Sequence, residues 1–121
     1  FRSVLRSNFV HVLGQRVDLY SKEEIFEAID RTVASKQKKI FLYLNAHASN
    51  LAAKHSWLKE FYDKADVVYA DGKSIQFAAN LLADKAPPHL PLTEWIWDLL
   101  KQCSAKNHSV YFLGGSEEAN L

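Results

Sequence analysis

The stretch ADVVYADGKS, residues 65–74, decides how the rest of the chain is interpreted. Val67–Ala70 is a short, uninterrupted apolar run, which predicts a strand covered on both faces, as in parallel sheets. Gly72 predicts a turn, and the sequence from Ser74 onward predicts a helix. Asp71 therefore stands where a strand gives way to a helix, and ligands bind at such strand ends in open α/β sheets. A carboxylate at a helix start is also a good N-cap, and the local sequence alone favours that simpler role.

Strands and helices alternate on both sides of this stretch. Apolar alternations within residues 8–20 predict a small hairpin or an edge strand. Ser21 and Glu24 then match a capping box, which predicts that a helix begins there. Ile40–Leu44 and Val110–Leu113 are two further apolar runs of strand length, each interpreted as a buried strand. This alternation predicts parallel strands connected by right-handed crossovers.

Composition indicates one globular domain. The 121 residues are 48% hydrophobic and 24% charged, which is sufficient for a real core. The net charge of +1 provides no electrostatic footprint for nucleic acid. No apolar run approaches the roughly 18 to 20 residues of a membrane span, and no signal peptide is recognisable. A single cysteine, Cys103, allows no internal disulfide and is expected to pack inside a helix.

We therefore predict a single α/β domain over residues 1–121. Its expected architecture is Rossmann-like, a mainly parallel sheet flanked by helices, with an N-terminal β-hairpin or edge strand. The chain begins at Phe1 without a methionine and stops at Leu121, soon after a new helix starts. We expect it to be a C-terminally incomplete fragment of a longer protein.

Polar residues and glycines follow each predicted strand of the parallel sheet. They are Asn45, His47 and Asn50 after the first strand, Asp71 and Gly72 after the second, and Gly114 and Gly115 after the third. Because the ends of parallel strands meet at one edge, this convergence favours a chemical role for Asp71, for example as a general base. The Gly-Gly pair could present amides to a phosphate, although an ordinary turn explains it equally well. Helix capping is the simpler explanation for both asparagines, and loop hydrogen bonding for the histidine.

Other motifs are missing from the sequence. Neither G-x-G-x-x-G nor G-x-x-x-x-G-K-[ST] is present, so the common dinucleotide and P-loop sites are not predicted. The histidines lack zinc-ligand spacing, and no D-x-D pair occurs, so we expect no metal and no cofactor.

Some apolar residues carry structural predictions. The helix from Ser74 is apolar around much of its circumference and is expected to be well buried. Thr93 is the predicted N-cap of the next helix. Trp57 and Trp95 are expected to pack in the core, whereas Trp97 lies off the apolar face and is a candidate partner contact.

Three stretches together resemble the WecG/TagA/CpsF glycosyltransferase family. They are LNAHASNLA at residues 44–52, ADVVYADG at 65–72 and VYFLGG at 110–115. The stretch LGQRVD at residues 13–18, followed by a capped helix, is similar to the family's opening. The chain departs from the family at Ser74, where a glycine is common, and at His89–Trp95, which replaces an Arg-Val-x-Gly-like segment.

The resemblance implies transfer of a sugar, often N-acetylmannosamine or its uronic acid, from a UDP-sugar to a lipid-linked acceptor. The expected acceptor is undecaprenyl-diphosphate-linked, and the products are teichoic acid linkage units, enterobacterial common antigen or exopolysaccharide. The expected location is the cytoplasm, peripheral at the inner face of the cell membrane, with contact through a C-terminal segment outside this sequence. A homo-oligomer is left open.

The resemblance also implies roles for single residues. Asp71 corresponds to the family's proposed catalytic base, and Asn45 to a residue of the substrate pocket. Gly114 and Gly115 correspond to a turn near the donor nucleotide. We add His47, Asn50 and Gly72 to the predicted substrate-binding set.

Our hypothesis at this stage is an inverting, metal-independent glycosyl transfer with Asp71 as the base. Two alternatives stay open. One is a non-catalytic domain that binds a sugar nucleotide, an alternative that the departures from the family pattern keep open. The other is a phosphoacceptor domain of the receiver type, which would need an acid pair at the end of the first parallel strand, where Leu44, Asn45 and Ala46 offer none.

Overall fold

The structure, a computed structural model, describes residues 9–82 and 87–120. Its elements in chain order are β1 (Phe9–Val12), β2 (Gln15–Asp18), α1 (Lys22–Ala34), β3 (Phe41–Leu44), α2 (Ala46–Lys54), α3 (Ser56–Lys64), β4 (Val67–Ala70), α4 (Lys73–Leu82), α5 (Leu92–Ala105) and a short 3₁₀ helix (Glu118–Asn120). This order confirms the predicted mixed α/β fold, consistent with a Rossmann-like domain. No helix in these two ranges is long and apolar enough to cross a membrane.

The N-terminal hairpin forms as predicted. β1 and β2 pair antiparallel, with Val12 opposite Gln15. The two connecting residues, Leu13 and Gly14, have φ values of 52° and 82°. Positive φ at both central positions is typical of the tight turn whose twist matches that of the flanking strands. The hairpin is therefore a regular unit that can pack as one piece on the rest of the domain.

The parallel sheet consists of β3 and β4 in the described residues, with Phe41 opposite Val67 and Leu44 opposite Ala70. All four residues of β4 are buried. Val67 and Tyr69 pack in a cluster with residues of α1 and α5, whereas Val68 and Ala70 pack in a second cluster with the hairpin, α2, α3 and α4. β4 is thus covered on both faces, as its uninterrupted apolar sequence predicts.

The hairpin also covers the edge of β4 that faces away from β3. The Asp18 carboxylate, only 1% exposed, accepts a 2.7 Å hydrogen bond from the Val68 N–H. The Arg16 guanidinium lies 3.4 Å from that carboxylate and donates a 2.7 Å hydrogen bond to the Ala65 carbonyl. The Asp18 side chain therefore supplies to β4 a hydrogen bond that a third strand would otherwise supply, and Arg16 holds the segment that leads into β4. The LGQRVD stretch, residues 13–18, therefore stabilises this fold through Arg16 and Asp18.

Replacing Asp18 with alanine tests this role. We expect Asp18→Ala to lower the free energy of unfolding by about 2–3 kcal/mol, because it leaves a buried N–H without an acceptor and Arg16 without its ion partner. Chemical denaturation measures the change. The control Asp98→Ala removes an exposed ion pair with Lys22 and should change stability by less than about 1 kcal/mol. Equal effects of the two substitutions would contradict the role of Asp18.

α1 begins as the capping box predicts. The Ser21 hydroxyl accepts from the Glu24 N–H, and the Glu24 carboxylate accepts from the Ser21 N–H, each at 3.2 Å. Asn107, with φ 56°, follows the C-cap of α5. Cys103 is buried on α5, as expected.

The predicted buried strand at Val110–Leu113 is wrong. No strand is assigned there, and Tyr111 and Leu113 are 86% and 91% exposed. An apolar run becomes a strand only where a neighbouring strand offers hydrogen-bonding groups and a covered face. In the described residues this run has no such neighbour.

Other burial predictions also fail. Phe77, Leu81 and Leu82 on α4 are 60–72% exposed, so this helix buries one face only, through Ile75 and Ala79. An apolar sequence shows that a helix could be buried but not that a second layer covers it.

Among the tryptophans, Trp95 is buried as expected, but Trp57 is 66% exposed and packs outside the core. The N-cap of α5 is Pro91 rather than Thr93. α5 therefore begins one residue before the predicted cap.

Asp30 joins the C-terminal parts of α1 and α5. Its carboxylate accepts a 2.6 Å hydrogen bond from the Gln102 side chain and pairs with the Lys106 ammonium group. The His108 ring lies 3.4 Å from its other oxygen. Burial acts to raise the pKa of Asp30, but the hydrogen bond and charge of Lys106, helped by His108 and Gln102, outweigh it and lower the pKa below the usual 3.8.

This lowered pKa predicts a pH dependence of stability. Because the folded pKa lies below the unfolded one, the contribution of Asp30 is present above about pH 3.8 and is lost as the pH falls through the folded pKa. The Asp30→Asn variant should be less stable than the unaltered protein at pH 7, and the difference should shrink as pH falls below 3.8. Denaturation of both proteins between pH 2 and 7 checks this. A difference that stays constant down to about pH 2 would contradict it.

Candidate active site

Asp71 directly follows β4, and its backbone is fixed by the sheet. Its N–H donates a 2.9 Å hydrogen bond to the Leu44 carbonyl, the last residue of β3. Its side chain is half-buried. The carboxylate therefore belongs to the rigid edge of the sheet rather than to a free loop, which is the requirement for a group that has to be aligned with a substrate.

Asn45 lies beside this turn at the end of β3. It is the N-cap of α2, with its side-chain oxygen accepting a 2.8 Å hydrogen bond from the Ala48 N–H. The capping prediction is thus confirmed for Asn45. Because the cap uses only the oxygen, the side-chain NH₂ group can donate to a ligand.

Gly72 brings the two strand ends together. A Cβ atom built on Gly72 would lie 3.7 Å from the Asn45 Cβ, which is ordinary van der Waals contact. Space therefore does not require glycine here, but backbone conformation does, because φ at Gly72 is +130°. L-residues rarely adopt that conformation. The turn that carries Asp71 past Asn45 depends on this glycine.

A further segment, the loop from Pro87 to Pro91, closes over the end of β4. The Leu90 N–H donates a 2.9 Å hydrogen bond to the Ala70 carbonyl. The Trp95 indole in turn donates 3.0 Å to the Leu90 carbonyl. His89, half-buried, is consequently carried to the same strand end as Asp71. Sequence reasoning missed His89, because nothing in the composition of a proline-rich loop indicates which strand it will contact.

The other predicted site residues are placed less closely. His47 is exposed in the first turn of α2, two residues after the Asn45 cap. Asn50 is exposed further along the same helix and does not cap it. Gly114 and Gly115 have φ values of 125° and 78° in an exposed segment. The predicted approach of Gly114 and Gly115 to Asp71 required a strand at Val110–Leu113, and no such strand is present in the described residues. The role of the two glycines in the site therefore stays a prediction.

Tyr69, two residues before Asp71, is a further titratable group near the turn. Burial, followed by the negative charge of Asp71, raises the pKa of Tyr69 well above its ordinary value of 10.0. Tyr69 packs edge-on against Trp95 with 5.4 Å between ring centroids. The phenol is therefore neutral at physiological pH and serves packing.

Two surface depressions lie elsewhere. One is lined by Arg31, Thr32, Ser35 and Gln37, and the other by Glu23, Phe26, Glu27, Asp30, Gln102 and Lys106. Both involve α1, and neither is lined by Asp71 or Asn45. Within residues 9–82 and 87–120, no three His, Cys, Asp or Glu side chains are grouped so that they could hold a metal ion.

A parallel α/β sheet with a carboxylate, a cap amide and a glycine turn at the ends of adjacent strands is an arrangement in which open α/β sheets bind ligands. Comparison with known families makes this specific. The family model described as Glycosyl transferase WecG/TagA/CpsF family matches residues 10–120. The chain belongs to this family, and the family implies a glycosyltransferase role in the synthesis of cell-surface polysaccharide. A search of curated proteins gave no match.

The glycine requirement at position 72 is directly testable. Gly72→Ala should lower the free energy of unfolding by roughly 1–2 kcal/mol, because alanine is strained at this positive φ. The control Ser74→Ala alters a neighbouring exposed residue and should leave stability within about 0.5 kcal/mol. Thermal denaturation compares them. A Gly72→Ala protein as stable as the unaltered one would show that the turn does not have the conformation described.

Proposed function

We propose that this protein transfers a sugar from a UDP-sugar donor to a lipid-linked acceptor. The proposed donor sugar is of the N-acetylmannosamine type, and the proposed acceptor is undecaprenyl-diphosphate-linked, so the work is done at the inner face of the cell membrane. Family membership supports the reaction class. The position of the Asp71–Gly72 turn beside Asn45, whose Cβ would lie 3.7 Å from a Cβ built on Gly72, supports this edge of the sheet as the site.

In the proposed reaction Asp71 is the general base. Its carboxylate takes the proton of the acceptor hydroxyl as that oxygen attacks the anomeric carbon of the donor. The bond between the anomeric carbon and the β-phosphate oxygen breaks, and UDP leaves with the electron pair. Because attack is from the face opposite UDP, the configuration inverts. The proton moves to the carboxylate as the new bond forms, so no free alkoxide has to be generated first.

The departing UDP gains negative charge, so the reaction needs hydrogen-bond donors or cations near the diphosphate. The Asn45 NH₂ group is one available donor at the strand end. Lys73, exposed at the start of α4, is a nearby cation. Amides of the turn at Gly114 and Gly115 are further candidates, as the sequence predicts.

The observation that carries the proposal is the placement of Asp71. Its carboxylate follows a fully buried strand, its backbone N–H is bonded to the end of β3, and its turn lies beside a cap asparagine. Neither surface depression on α1 combines a fixed carboxylate with a strand end. The site at β4 therefore has the better geometry for aligning an acceptor.

The test of Asp71 is its replacement with asparagine, which keeps the shape and removes the base. Transfer from UDP-N-acetylmannosamine to an undecaprenyl-diphosphate-linked acceptor should fall by about 10²–10⁴-fold, the usual worth of a general base. UDP binding and thermal stability should stay close to those of the unaltered chain. Asp63→Asn, at an exposed position on α3, is the matched control and should keep its activity. Near-normal turnover of Asp71→Asn would refute the role of Asp71.

The same transfer assay, combined with a binding measurement, distinguishes sugar transfer from the second candidate function, which is binding alone. The departures at Ser74 and at His89–Trp95 keep open a domain that binds a sugar nucleotide without transferring the sugar. If the unaltered protein binds UDP-sugars in calorimetry but gives no transfer product, this second function is supported and the catalytic proposal is wrong.

A further inference from the structure

The outward face of α4 is apolar, although the opposite face of this helix already packs in the core. Ile75 and Ala79 are at most 1% exposed and belong to the cluster that includes the hairpin. Phe77 and Leu81 are 69% and 72% exposed. Because residues four apart lie one above the other on a helix, Phe77 and Leu81 form a stripe on the side away from Ile75 and Ala79. Core packing therefore does not explain this stripe.

The stripe begins at a cation beside the candidate active site. Lys73 is the first residue of α4, two residues after Asp71 and four before Phe77, so it lies on the same exposed face. At a rise of about 1.5 Å per residue, Lys73 lies roughly 6 Å along the helix axis from Phe77 and roughly 12 Å from Leu81. The outward face of α4 thus has a positive charge at the end near the site and apolar side chains beyond it.

We propose that α4 lies on an anionic lipid surface, with Phe77 and Leu81 among the acyl chains and Lys73 at the level of the lipid phosphates. The choice of lipid as the occupant rests on the proposed function, because the proposed acceptor is itself held in a membrane. The contact is distinct from the C-terminal one that the family resemblance implies, since it is made by a helix of the described domain.

The charge pattern of α4 favours lipid over another occupant. Helices that lie in a membrane interface combine apolar side chains with lysine or arginine, whose stems follow the apolar surface while the charge reaches the phosphates. Anionic headgroups attract such a cation and repel carboxylates. The ten residues of α4 include Lys73 and no acid. By contrast, α3 and α5, which expose Trp57 and Trp97, each contain two acidic residues.

This seating brings the candidate site to the lipid surface. α4 starts directly after the Asp71–Gly72 turn, so a helix lying in the interface holds that turn at the height of the headgroups. A lipid-linked acceptor presents its diphosphate and its sugar at the same height while its apolar chain stays in the bilayer. The acceptor hydroxyl then reaches Asp71 without extraction of the lipid.

Sedimentation of the whole chain with vesicles of phosphatidylglycerol and phosphatidylcholine tests the inference. The unaltered chain should bind, and the double variant Phe77→Gln, Leu81→Gln should bind at least tenfold more weakly, because two apolar side chains are no longer inserted. Lys73→Gln should weaken binding to these vesicles roughly fivefold and leave binding to pure phosphatidylcholine unchanged. Trp57→Gln is the matched control, 66% exposed on α3, and should bind like the unaltered chain.

Fluorescence quenching shows directly which helix enters the lipid. With Trp57 and Trp97 replaced by phenylalanine, the only remaining tryptophan is the buried Trp95. Lipids brominated on their acyl chains should leave its emission unchanged. Adding Phe77→Trp to this background should introduce emission that the brominated lipids quench. This measurement also decides the case if the double glutamine variant has a lowered melting temperature.

Three results would overturn the inference. The first is an unaltered chain that does not bind the vesicles, and the second is an equal loss of binding in Trp57→Gln and in the double variant. The third is a tryptophan at position 77 that brominated lipids do not quench. If the double variant instead loses self-association in sedimentation velocity while vesicle binding is unchanged, the occupant of the stripe is a second copy and the lipid proposal is wrong.

The inference and the proposed function can fail separately, because the vesicles contain neither donor nor acceptor. If α4 binds the vesicles as described but the unaltered chain gives no transfer product, the lipid contact stands and the catalytic proposal is wrong. If Asp71→Asn abolishes transfer while the double variant binds vesicles like the unaltered chain, the catalytic proposal stands and the α4 inference is wrong.

Discussion

The rest of the structure depends on how the backbone N–H and C=O groups of β4 find hydrogen-bond partners. This strand is buried on both faces and bonded to β3 along one edge. On its other edge the Asp18 carboxylate accepts from the Val68 N–H, and the Leu90 N–H donates to the Ala70 carbonyl. Because an unpaired buried peptide group is costly, the hairpin and the loop before α5 are both required to complete β4. One side chain and one loop together do the work of a neighbouring strand.

The same hydrogen bonds determine where the candidate catalytic residues lie. Completing β4 fixes the position at which it ends, and that position carries Asp71. The hydrogen bond between the Asp71 N–H and the Leu44 carbonyl aligns the turn with the cap of α2, so Gly72 lies beside Asn45. The loop that completes the far edge also carries His89 to the strand end. Structural hydrogen bonds and candidate catalytic residues therefore belong to one arrangement, which is how a rigid scaffold supports a site built on strand ends and loops.

The sequence predicted those features that local chemistry determines. The capping box at Ser21, the buried run Val67–Ala70 and the cap at Asn45 each depend on residues within a few positions of one another. It failed where the outcome depends on a distant partner. Val110–Leu113 is as apolar as a buried strand, yet no strand lies beside it in the part of the chain that the structure describes, and it is exposed. The loop before α5 escaped notice for the same reason, since its place at this edge comes from the hydrogen bond between the Leu90 N–H and the Ala70 carbonyl, twenty positions earlier in the chain.

The central claim is that a sugar nucleotide binds at the carboxyl edge of β3 and β4. Amide chemical shifts of the ¹⁵N-labelled chain, recorded while UDP is added, test it most directly. We predict that the largest shifts fall at Asn45, in residues 71–73 and at Leu90, which lie at this edge. Shifts concentrated instead on the depression between α1 and α5, around Asp30 and Gln102, would contradict the account.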